Sequence, residues 1–344
     1  MCNKFIWLAV VSSALLAAPA AILADQPQAQ MAYQMPMANK ALLTDIVAVP
    51  GSALVAIGER GHILVSHDAN TWQQATVPVQ ANLNSVYFIS KQQGWAVGHD
   101  ASILHTLDGG LSWQLQHFAP ETDKPLFDVY FSDAQNGIAV GAYGLFYRTV
   151  DGGQNWSKEF HPELLSEDDQ DYLAELKDTD PELFEIELGA ILPHFNRLYA
   201  DGNVLYLAGE AGFVAKSTDL GLSWSKLDEF YNGSLFDITR SAQMSLIAVG
   251  LRGNAFKSTD QGLTWQQLEL TETATFNSAF SDAAGRLYLV GNAGSLLVSY
   301  DDGDTFVDKS QANGKAIVNG VVWQDKLVLV TESGVTTIKL TELE

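Results

Sequence analysis

Short apolar runs closed by a glycine recur along the chain, as in Leu54-Val55-Ala56-Ile57-Gly58, Trp95-Ala96-Val97-Gly98 and Leu287-Tyr288-Leu289-Val290-Gly291. The closing residues Gly58, Gly98, Gly141, Gly209, Gly250 and Gly291 are separated by 40, 43, 68, 41 and 41 residues. A seventh run, Leu327-Val328-Leu329-Val330-Thr331, keeps the spacing but ends in Thr. Each run is preceded, 12 to 14 residues upstream, by an Asn or Asp that opens another β-branched or aromatic stretch: Asp45, Asn84, Asp128, Asn196, Asp237, Asn277 and Asn319. Each is followed by a short Gly-bearing turn such as Glu59-Arg60-Gly61, then by two further short runs. Runs of this kind read as antiparallel strands. A period near 40 to 45 residues reads as a four-stranded propeller blade. The pattern therefore predicts an all-β fold, a seven-bladed β-propeller spanning 41–344, with an Asn/Asp position at the start of every innermost strand.

A second repeat runs in phase with the first. Ten residues after each closing Gly stands an Asp in a Ser/Thr-x-Asp box ending in an aromatic residue; Ser217-Thr218-Asp219-Leu220-Gly221-Leu222-Ser223-Trp224 is one copy. The six aspartates are Asp68, Asp108, Asp151, Asp219, Asp260 and Asp301. Such residues suit a tight turn: the carboxylate accepts backbone N–H bonds and Gly supplies positive φ. The aromatic residue pins the turn to the sheet. These aspartates are thus read as structural.

The one irregular interval, between Gly141 and Gly209, carries an insert at about 162–190. Leu164, Leu165, Tyr172, Leu173 and Leu176 fall near helical spacing after Pro162, and Leu183, Phe184, Ile186 and Leu188 follow Pro181. A small helical excursion between blades 3 and 4 is expected. In a four-stranded meander it shares a face with the hairpins joining second to third strands. The Asp boxes lie on the opposite face. The hairpin face is the candidate functional face.

Charge narrows the partners. The chain has 41 acidic and 19 basic residues, a formal charge of −22, and lacks the basic footprint of a nucleic-acid binder. Residues 1–24 read as a cleavable signal peptide: Lys4, the apolar stretch Phe5 to Ala18, then small residues at Ala20 or Ala24. Residues 25–40 read as a linker, or in part as an outer strand closing the last blade. The expected location is the periplasm, or outside the cell. No other segment is apolar and long enough to span a membrane, and a monomer is expected.

The candidate partner-binding residues are those of the hairpins: Arg60 and Arg252 at equivalent positions, with Glu59, His99, Asp100, Tyr143, Glu210 and Asn292. Two arginines in so acidic a chain suit a carboxylate or an acidic partner segment. The seven histidines form no HxH or HExxH grouping, so neither a metal nor another cofactor is expected. The rival class is a glycan-binding or glycoside-hydrolysing, sialidase-like propeller. Glu59, Asp100, Glu210 and Glu332 lie on hairpins of one face, and a suitably spaced carboxylate pair would permit hydrolysis. No Arg-Ile-Pro motif or inward arginine triad accompanies them, and no catalytic residue is assigned.

The boxes, such as Ser258-Thr259-Asp260-Gln261-Gly262-Leu263-Thr264-Trp265, together with Gly58-Glu59-Arg60-Gly61-His62-Ile63-Leu64 and the seven units, resemble the photosystem II stability/assembly factor proteins. These are a BNR/Asp-box branch of seven-bladed propellers, and the resemblance covers nearly all of 42–340. It implies a non-catalytic scaffold that binds newly inserted membrane-protein subunits through an arginine-rich surface, with Arg60 and Arg252 as the matching positions. The chain departs from that pattern in its few arginines, its acidic insert, and a leader without twin arginines or a lipoprotein cysteine. In a bacterium without a photosystem, the client would be another complex, such as an envelope transporter.

Overall fold

The second strand of each repeat is where the apolar runs go. In the computed structural model, which describes residues 28–343, strands Leu54–Gly58, Gly94–Gly98, Gly137–Gly141, Leu246–Gly250 and Leu287–Gly291 are buried at every position. Each lies between two neighbouring blades and has no solvent side, so its sequence is continuous rather than alternating. Seven antiparallel sheets result, six of four strands and one of three. Seven apolar clusters fill the interfaces between consecutive blades.

The repeated glycine has a steric cause. Gly58 is extended (φ −178°), so its backbone angles do not demand glycine. A Cβ there would stand 2.1 Å from the carbonyl oxygen of Leu42, where the incoming chain crosses to start the inner strand. The same oxygen accepts the N–H of Glu59 at 3.1 Å. Gly98, Gly141, Gly209, Gly250 and Gly291 meet the equivalent carbonyls at 2.1–2.2 Å. The period read from the sequence thus marks a backbone crossing in every blade.

Each Asp box closes on itself. Asp219 Oδ1 accepts from Ser217 Oγ at 2.7 Å and from the Ser223 N–H at 3.0 Å, while Oδ2 accepts from Ser223 Oγ at 2.6 Å. Ser217 Oγ in turn accepts the Gly221 N–H at 2.8 Å. These bonds to the charged form hold the carboxyl at about 2, below its ordinary range. The indole of Trp224 is buried beneath the turn.

The insert folds as α1 (Glu167–Thr179) and α2 (Pro181–Leu188), preceded by a 3-10 turn at Pro162–Leu164. Ser166 Oγ and Asp180 Oδ1 cap the two helices by accepting the N–H of Asp169 and Leu183. Leu164, Leu165 and Leu173 join the apolar cluster between blades 3 and 4, and Leu176 is also buried. Tyr172 stays 41% exposed, and α2 has no fully buried residue.

The seventh blade differs from the four-stranded expectation. Its sheet comprises Ile317–Trp323, Lys326–Thr331 and Gly334–Lys339 only. The chain then turns at Leu340–Glu342 and buries Leu343, whose carbonyl accepts from Tyr300 Oη at 2.8 Å. No box follows because no fourth strand does. Residues Ala38–Lys40 form a 3-10 turn against this blade instead of the outer strand considered from the sequence. The expected leader at 1–24 lies outside the described residues. Among the described residues no helix is long and apolar enough to cross a membrane.

Candidate functional site

The hairpins after the second strands are 3-10 turns whose tip residue adopts the left-handed conformation: Arg60 (φ 56°), Tyr143 (φ 54°), Ala211 (φ 52°), Arg252 (φ 57°) and Ala293 (φ 56°). Asp100 occupies the matching place in blade 2 at φ 59°. That region costs a residue with a Cβ roughly 1–2 kcal/mol. The turn lifts each tip side chain off the sheet. The Arg60 side chain is 70% exposed, with Glu59 as its ion-pair partner at 4.0 Å. Among the described residues no carboxylate pairs with Arg252. The two arginines stand on blades 1 and 5, nearly opposite each other across the ring. Set so far apart, they do not converge on one carboxylate.

The remaining hairpin candidates divide by blade. Tyr143 and Glu210 come together around His194: Glu210 Oε2 lies 3.1 Å from His194 Nδ1, and the Tyr143 ring packs edge-on to the imidazole at 4.3 Å. Lys124 Nζ lies over the Tyr143 ring, 5.4 Å from its centroid. Burial and the nearby Lys158 lower the pKa of this ammonium. His99 and Asp100 belong to blade 2. Asn292, on blade 6, accepts from Asn277 Nδ2 at 3.1 Å. Glu332 is paired with Lys315 at 3.1 Å. Glu59, Asp100, Glu210 and Glu332 therefore stand on four different blades. His194 and Lys124 were not singled out by sequence, because both lie in blade connections outside the repeat.

The axial channel holds a second constellation, and it corrects the Asn/Asp ring expected from spacing. Every inner strand opens with the same one-residue bulge, and the set divides between the bulged place and the axial place that follows it. Asp45, Asp128, Asp237 and Asn319 do point at the axis, but the matching positions in blades 2, 4 and 6 are Ser85, Arg197 and Ser278. Asn84, Asn196 and Asn277 sit one place earlier and donate to the carbonyls of Leu126, Leu235 and Ile317 in the next blade, at 2.7–2.8 Å.

Each axial carboxylate clamps two blades. Asp45 accepts its neighbour's N–H (Ile46, 2.8 Å) on one oxygen and the next blade's N–H (Val86, 2.9 Å) on the other. Asp128 does the same with Val129 and Leu198, and Asp237 with Ile238 and Ala279. Arg197 Nε lies 3.1 Å from Asp237 and 3.6 Å from Asp128. Burial opposes the charge of this guanidinium, but Asp237, Asp128 and Asp45 outweigh it and raise its pKa. Burial pushes Asp45 up to about 6, only partly offset by Arg197 and the backbone bonds. The ring lines a channel cavity of about 330 Å³ whose wall includes Tyr87, Tyr130, Tyr199 and Phe280. With their oxygens already engaged by backbone N–H groups, the carboxylates are blade locks. Among the described residues no group of three or more His, Cys, Asp or Glu could hold a metal.

The insert stands beside the hairpins, as Gly144 N donates to Pro193 O at 2.9 Å. Between 162 and 190 it carries eleven carboxylates against one Lys177. The face thus has an acidic side at blades 3 and 4, with its two tip arginines on blades 1 and 5.

Sheet order, boxes and tip geometry define a seven-bladed Asp-box propeller. A family model described as Photosynthesis system II assembly factor YCF48 matches residues 64–158. A chloroplastic photosystem II stability/assembly factor of Oryza sativa subsp. japonica is 34% identical over 103 residues, 26% of this chain and 24% of that protein. A photosystem II assembly lipoprotein of Trichormus variabilis is 37% identical over 60 residues, 17% of this chain and 18% of that protein. The alignments thus span about a quarter or less of these relatives' length. A solved structure described as YCF48 bound to D1 peptide superposes with a TM-score of 0.67 at 20% identity, covering 92% of this chain and 98% of the other. The chain is a seven-bladed propeller similar to the photosystem II stability and assembly factors.

Proposed function

We propose that this chain is a non-catalytic periplasmic scaffold whose hairpin face holds an extended, acidic segment of a membrane-protein client during assembly. The observation that carries this reading is the pair of lifted arginines, Arg60 and Arg252, set across the ring from each other in a chain of charge −22. Peptide binding by a similar propeller, the YCF48 structure with a D1 peptide, supports the same reading. The insert's carboxylates on blades 3 and 4 would repel an acidic segment and so direct it toward the arginines. The apolar leader supports export, and the lipoprotein relative is in keeping with work at a membrane surface.

The test is a pull-down from gently solubilised envelopes, with the double variant Arg60→Glu, Arg252→Glu beside the unaltered chain. The variant should lose the client while keeping its melting temperature, since both side chains are exposed. Unchanged recovery of the client would remove the arginines from the site. The hydrolase reading would require two carboxylates at a common cavity. Glu59, Asp100, Glu210 and Glu332 lie on separate blades, and Glu210 and Glu332 are engaged by His194 and Lys315.

A further inference from the structure

Residues 31–37 are not free chain but a strip fastened to the outer rim of blade 1. The Ala32 N–H donates to Val77 O at 2.9 Å, and Gln34 Nε2 to Ala75 O at 2.9 Å. Gln74 holds the strip twice, accepting the Met35 N–H at 2.8 Å and donating to Tyr33 O at 2.9 Å. Gln80 Nε2 donates to Met31 O at 2.9 Å. Ala32 faces inward and is buried. Residues 31 and 33–37 are exposed, Gln34 turning its amide back to the blade, and the large apolar side chains among them are Met31, Tyr33, Met35 and Met37, exposed by 53, 68, 45 and 67%.

Four large apolar side chains in a row, on a backbone pinned by five hydrogen bonds, form an apolar stripe that a solvated rim does not need. Its electrical setting is equally unusual. In a chain with 41 acidic residues there is none between Asp25 and Asp45, and Lys40 is the lone charge there. The outer segment of blade 1 on which the strip lies, 69–80, likewise holds no acidic residue. The strip begins 13 residues after the apolar leader stretch ends at Ala18, within at most about 45 Å of it along the chain.

We infer that the Met31–Met37 stripe is a contact surface for the lipid bilayer, seating the rim of blade 1 in the interfacial layer. The occupant follows from the chemistry. Flexible thioethers and a tyrosine suit the mixed apolar and polar boundary of a membrane. The absence of carboxylates removes the repulsion that the rest of this acidic surface would meet at a membrane carrying anionic lipid. The stripe also lies where the chain leaves its export segment. Contact through the rim leaves the hairpin face free at the side, so this inference stands apart from the client site.

The experiment is co-sedimentation of the exported chain with neutral phosphatidylcholine vesicles, beside a variant carrying Met31→Gln, Tyr33→Gln, Met35→Gln and Met37→Gln. The unaltered chain should pellet with vesicles in low and high salt alike, and the variant should partition at least about tenfold less. All four side chains are exposed, so the variant should melt at the same temperature. Gln74→Ala, which keeps the apolar residues but unpins them, should fall between the two. Failure of the unaltered chain to pellet, its release by high salt, or equal pelleting of the fourfold variant would overturn the assignment. So would a stripe needed only for recovery of a protein client. The Arg60→Glu, Arg252→Glu variant should bind vesicles normally, which separates this outcome from failure of the client site.

Discussion

Replacing Asp45 by Asn tests whether the axial carboxylates are locks whose charge the fold tolerates at a cost. Asp45 is the carboxylate at the seam: besides its two backbone donors it accepts from Asn319 Nδ2 at 2.6 Å, joining the last blade to the first. An Asn can keep the bonds from Ile46 and Asn319 on its oxygen but turns an NH₂ toward the Val86 N–H. Leaving that buried donor unsatisfied costs about 1–3 kcal/mol. Against this stands the charge. A carboxyl raised from 3.8 to about 6 binds its proton more tightly in the native chain than in the unfolded one. Stability from this group is therefore highest below pH 3.8, falls as pH rises through about 6, and is flat above. The full loss is about 3 kcal/mol, of which about 1.4 kcal/mol falls between pH 5 and pH 8. The Asn variant has no such loss. Urea unfolding of both proteins, followed by tryptophan fluorescence, should show the variant gaining about 1.4 kcal/mol on the parent between pH 5 and pH 8. It should be the weaker of the two at pH 5 and close to parity at pH 8. A gap that is the same at both pH values would refute the linkage, and with it the account of Asp45 as a buried, ionising lock.

Two further substitutions probe the frame. Gly58→Ala puts a Cβ 2.1 Å from Leu42 O and should cost about 3 kcal/mol or more, whereas Gly202→Ala, with no atom within 4 Å and φ 61°, should cost only about 1 kcal/mol; comparable losses in thermal melts would remove the crossing as the reason for the repeated glycine. Leu173→Ala in α1 should cost about 2–4 kcal/mol, because the residue is 6% exposed within the cluster of blades 3 and 4. A neutral result would mean the insert rides on the propeller without being packed into it.

What could be read from the chain was what repeats. Glycine spacing and the boxes located every blade because the same backbone crossing and the same turn recur at fixed offsets. Counting residues back from Gly209, however, picks Asn196 when the axis is reached by Arg197. The axial residue stands thirteen places before the Gly in blade 1 but twelve before it in blade 4, where the hairpin turning between Asp201 and Val204 is one residue shorter, and the period does not report that. Ser85 and Ser278 were hidden for another reason: Asn84 and Asn277, in the bulge one place earlier, match the Asn/Asp type that was being followed. In blade 7 the third strand, Gly334–Lys339, gives way to a turn at Leu340–Glu342 and to buried Leu343, a departure that the apolar run at 327–331 does not signal. The strip at 31–37 escaped notice because its hold on blade 1 comes from glutamine side chains, which carry no periodic signal.

The seam between the last and first blades has a consequence for how the molecule comes into being. Asp45 and Asn319, which meet there, lie 274 residues apart, and among the described residues no strand is shared across the junction. Synthesis from the N-terminus delivers blade 1 first. Its seam-side apolar surface, Leu54, Ala56 and Leu64 among others, then has no neighbour until Val328 and Val330 arrive. Closure is thus a late, long-range event, of the kind that slows folding. Until it occurs the nascent protein is an open crescent with two sticky ends, and the interval between first and last blade is when it most needs protection from other crescents.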